Sequence, residues 1–73
     1  MIAPIQSLAH LRSMAVRNPV YKQLAITAAF NLGGDPKDDL NRAMEWLNVN
    51  ADETDEQGVV DEVNASREFL EYP

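Results

Sequence analysis

A chain of 73 residues with no cysteine and a formal net charge of −6 makes one small domain at most, with no disulfide, no thiolate metal site and no cysteine nucleophile. Its hydrophobic share of 45% belongs to folded chains rather than disordered ones. Residues 1–34 carry Arg12, Arg17 and Lys22 and no carboxylate, whereas residues 35–73 carry all twelve carboxylates against Lys37, Arg42 and Arg67; nowhere do cations cluster as phosphate contacts require, so direct nucleic-acid binding is not expected.

Apolar residues recur at helical rather than alternating spacing, which predicts an all-α fold. The start, MIAPIQSLAHLRSMAVRNP, is interrupted by charge too often for a secretory signal, and no stretch approaches the roughly 18 apolar residues of a spanning helix. A soluble, cytoplasmic chain without membrane contact is expected.

The first predicted helix runs from about Pro4 to Arg17, with Ile5, Leu8, Leu11 and Ala15 on one face and Met14 beside them. Asn18-Pro19 then stops one helix and starts another, because the residue before proline avoids the α region and asparagine is a good N-cap. The second helix, about Pro19 to Leu32, is apolar nearly all round, through Val20, Tyr21, Leu24, Ala25, Ile26, Ala28, Ala29 and Phe30. Such a helix belongs at the centre. Gly33-Gly34 ends it, with one glycine left-handed.

Asp35 and Pro36 are the expected N-cap and first residue of the third helix, with Asp38 and Asp39 in its first turn, where the helix dipole favours negative charge. Its inward stripe is Leu40, Ala43, Met44 and Leu47, with Trp46 at the margin. The stretch NVNADETDEQG breaks the pattern, and Thr54 with Gln57 forms a capping-box signature opening a fourth helix over about Asp55 to Glu71. Val59, Val63, Ser66 and Leu70 share its inner face, with Phe69 nearby. Gly58 and Asn64 weaken it, so it is expected to be the least stable. The predicted organisation is one domain over residues 1–73, with a compact three-helix core over about 4–48 and a looser acidic segment over about 51–73.

Chemistry finds little support. Asn48, Asn50 and Asp52 alternate like the start of an EF-hand loop, but the sixth position holds Glu53 instead of glycine and the twelfth Val59 instead of glutamate. Ser7 and His10 lie one helical turn apart, yet no acid in the first 34 residues could orient the histidine. One histidine without cysteine cannot build a usual zinc site. Gly33-Gly34 ends a helix instead of following a strand, and Asp35 would repel phosphate. Ala29 and Gly33 have helix-turn-helix spacing, but DPKDDLNRAMEW is too acidic for the major groove. No catalytic residue, cofactor or metal is called for.

The segment AAFNLGGDPKDDLNRAMEWL resembles the helix 2 to helix 3 region of ubiquitin-associated (UBA) domains through Ala29, Gly33, Gly34, Asp35, Arg42, Ala43, Glu45, Trp46 and Leu47. The resemblance implies a UBA-like three-helix arrangement and a ubiquitin-binding module. Where that family has a Met-Gly-Phe/Tyr loop, this chain has Met14-Ala15-Val16.

The residues themselves favour a small acidic, non-enzymatic regulator or inhibitor, of the kind phages and other small genomes encode. It would dock on a basic surface of a larger protein through Asp52, Glu53, Asp55, Glu56, Asp61 and Glu62, with Trp46, Phe69 or Tyr72 as apolar anchors. An acidic half that only keeps the chain solvated is the competing reading. A further alternative is a nucleic-acid mimic, in which the same six acids stand in for phosphates within the DNA or RNA channel of an enzyme.

Overall fold

The computed structural model describes residues 4–71, with the side chains of residues 52–54 and 69–71 outside that description. The described chain is all-α: α1 (Leu8–Arg17), α2 (Pro19–Asn31), α3 (Leu40–Thr54) and α4 (Glu56–Glu71). The molecule measures 32 × 23 × 20 Å.

As its composition predicts, α2 lies at the centre and packs against all three other helices. Leu24, Ala25, Ala28 and Ala29 are sealed from solvent. Around them close Leu8, Leu11 and Ala15 of α1, Ala43, Met44 and Leu47 of α3, and Val59 and Val63 of α4. The inner faces expected of the first, third and fourth helices are largely the observed ones, with Leu40 partly buried and Leu70 outside the described side chains. Val20 and Phe30, near the ends of α2, are instead exposed, where no neighbouring helix covers them. The core itself draws on four helices, not three. Val59 and Val63 are 0% exposed, so α4 is integral to the packing.

The junctions differ more. Between α1 and α2, Asn18 serves both ends: its N–H donates to the Met14 carbonyl, and its side-chain oxygen accepts from Val20 N–H. At the end of α2, Gly33 takes φ +102. Gly33 N–H donates to Phe30 O and Gly34 N–H to Ala29 O, the paired bonds of a Schellman motif. Both features follow the sequence reading.

Three boundaries do not. The first helix starts at Leu8 rather than Pro4, because Ser7 is extended and its hydroxyl accepts from His10 N–H. A serine in that conformation is a stronger start than a proline with no capping residue before it. The third helix starts at Leu40 rather than Pro36. Asp39, not Asp35, is its N-cap, accepting from Asn41 and Arg42 N–H. Two acidic N-cap signals compete here, and burial decides between them. Pro36 is fully buried, and Asp39 N–H donates to Pro36 O across a tight turn whose central residues, Lys37 and Asp38, have φ 52 and 65. Lastly, α3 continues through the expected break to Thr54, with Ala51 packed against the core and the Asn50 amide donating to Trp46 O. Partial burial of Ala51 against the core favours helix despite the polar composition of the stretch. The break is Asp55 alone, at φ 73 and ψ 128. Asp55 also takes the capping role expected of Thr54, its carboxylate accepting from Gln57 N–H.

Asn64, expected to weaken the fourth helix, ties the chain ends together. Its oxygen accepts from Ile5 N–H at 2.8 Å and its amide donates to Ile5 O at 2.9 Å. Ile5 is thereby held 2% exposed in front of α1. Asn64→Ala removes both bonds and strands two partly buried backbone groups, so a loss of about 2 kcal/mol in urea unfolding is expected. A loss below about 0.5 kcal/mol would mean that water replaces the amide at no penalty.

Candidate functional site

The acids expected to face a partner are largely engaged within the fold. Glu56 reaches back to α1, where its carboxylate accepts from Leu8 N–H at 2.9 Å. It thus caps a helix 48 residues earlier in the chain, satisfying a donor that no residue of α1 can reach. Asp55 caps α4. Asp61 accepts from the Gln57 amide, and Glu62 accepts from the Asn31 amide at the end of α2. Asp52 and Glu53 fall in the last turn of α3, but their side chains, with that of Phe69, lie outside the described residues, as does Tyr72 entirely. Four acids that look alike in sequence are therefore tethered to local or tertiary donors, which limits how freely they can meet a partner.

Trp46 sits elsewhere and in a different setting. It is half-buried at the edge of the core, with its fused ring bond against Gly34. An open cleft of about 320 Å³ borders it, lined by Asp35, Pro36, Arg42, Glu45, Trp46, Val49 and Asn50. Five of these residues belong to α3, and Asp35 and Pro36 to the connection before that helix. From Arg42 to Asn50 the cleft spans roughly 12 Å of helix axis, the length of three to four residues of extended chain.

Its apolar lining is the buried Pro36, the indole, and Val49, which is 63% exposed. Its rim is charged. Asp35, Arg42 and Glu45 are all exposed, and none forms an ion pair with another described side chain. Sequence reasoning found Trp46 but missed Asp35 and Glu45, having assigned Asp35 to a helix cap. The signal available was Val49, an apolar residue one turn beyond Trp46 and off the inward stripe of Ala43 and Leu47.

The other candidate residues take part in local structure. Ser7 and His10 form a reciprocal cap: the Ser7 hydroxyl accepts from His10 N–H, and His10 Nδ1 accepts from Gln6 N–H. The stretch resembling an EF-hand start is helical from Asn48 to Thr54, whereas a calcium-binding EF-hand segment is a loop between helices. No group of three or more histidines or acids among the described residues could hold a metal ion. No helix there is long and apolar enough to cross a membrane. Met14, Ala15 and Val16, at the position of the UBA loop, are helical. Neither a family model, nor a curated protein, nor a solved structure matches the chain.

Proposed function

We propose that this chain is a small non-enzymatic protein-binding regulator or inhibitor that docks on a basic surface of a larger protein through the outer side of α3. The observation that carries this reading is the Trp46 cleft. A half-buried aromatic ring framed by exposed charges has the anatomy of an interface anchor, since aromatic residues in a shielded centre dominate binding energy and a polar rim excludes water. The acids available to such a partner are Asp35 and Glu45 at the cleft, with Asp38 exposed nearby. This moves the docking surface from α4 to α3 and the turn before it. Asp52 and Glu53 remain candidates at the far end of α3.

The test begins with the intact protein as bait and identifies the partner by mass spectrometry. The affinity of that partner is then followed from low to high salt for the native chain and for Asp35→Asn/Glu45→Gln. Both positions are exposed, so unchanged helicity is expected. The variant should associate several-fold more slowly, most clearly at low salt. Competition by duplex DNA would turn the reading toward nucleic-acid mimicry. Equal affinity in both proteins, flat across salt, would leave the acidic half with solvation alone.

A further inference from the structure

Resting on that reading, we propose that the Trp46 cleft holds a single arginine or lysine side chain from an extended segment of the partner, its stem on the indole and its charged head between Asp35 and Glu45. The floor and rim of the cleft set this chemistry. Trp46, Val49 and Pro36 offer an apolar track suited to the methylene stem of a long cationic side chain. Asp35 and Glu45 offer carboxylates without an ion-pair partner among the described residues. Charge-assisted bonds to such acids are stronger than neutral ones. An acidic head would meet two like charges, and a purely apolar side chain would leave both acids facing it unmatched.

Arg42 stands at the same rim, so the two lining acids Asp35 and Glu45 exceed the lining cations by one. One cation flanked by neutral residues therefore fits better than a polybasic run.

Trp46 is the only tryptophan of the chain, so its fluorescence reports the cleft directly. The intact protein would be titrated with acetylated, amidated hexapeptides that carry one central arginine, lysine, glutamine or glutamate among glycine and leucine. The arginine and lysine peptides should shift the emission saturably and bind about tenfold tighter than the glutamine peptide. Asp35→Asn/Glu45→Gln should abolish that preference while leaving helicity and the melting temperature close to native. The proposal is overturned if the glutamine or glutamate peptide binds as well as the cationic ones, if the preference survives in the double variant, or if no peptide gives a saturable change. Those results leave docking on a basic surface standing wherever the salt-dependent partner affinity persists.

Discussion

Replacing Leu24 by alanine is expected to unfold the protein or nearly so. Leu24 is 0% exposed at the middle of the helix that touches every other helix. Truncating a buried leucine to alanine costs about 2–5 kcal/mol, from lost transfer energy and the cavity left behind. A domain of this size holds roughly 4–11 kcal/mol in total. The upper part of the first range would consume all of the lower part of the second. Thermal unfolding should move down by about 10 °C or more. A shift of only a few degrees would show that the core can close over the gap, so that α2 is not the element on which the fold depends.

Gly34→Ala should destabilise the fold by about 2–3 kcal/mol and disturb the cleft at the same time. A Cβ at Gly34 would lie 2.8 Å from Ala29 O and 3.0 Å from the Trp46 ring. The first neighbour is backbone and cannot swing away. It also accepts the 2.6 Å bond from Gly34 N–H that closes α2. Relief requires either breaking that closure or displacing the indole. The emission of Trp46 should change along with the melting temperature. Gly58→Ala is the matched control with the opposite sign. A Cβ there meets nothing within 4 Å, and α4 gains about 0.5–1 kcal/mol from the better helix former. If both variants melted alike, with unchanged emission, close approach at Gly34 would not be what holds Trp46 in place.

The Gly34 result would bear on function as well as stability. Asp35 and Pro36, which line the cleft, follow Gly34 directly, and the indole that also lines it rests on Gly34. The same tight exit from α2 therefore places both the anchor and one carboxylate of the rim. A partner that still bound Gly34→Ala with native affinity would have its contacts on α4 or at the end of α3.

The sequence by itself determined the helices, their order and their inner faces. Leu8, Leu11 and Ala15, then Ala43, Met44 and Leu47, then Val59 and Val63 are buried where periodicity places them, because a helix can hide only one stripe and the apolar residues mark it. Asn18-Pro19 and Gly33 were legible for a similar reason: their backbone preferences act within a residue or two and need no tertiary partner. Tertiary structure decided what depends on distant neighbours. Whether Asp35 or Asp39 caps α3 was settled by the burial of Pro36. The passage of α3 through a polar stretch came with the packing of Ala51. Above all, the acids of the second half of the chain were uniform in sequence and unequal in space. Glu56 found a helix start 48 residues away and Glu62 the amide of Asn31, while Asp35 and Glu45 were left around Trp46. A carboxylate takes whichever donor the packed chain brings to it, and which donor comes near is fixed only when the helices close on one another.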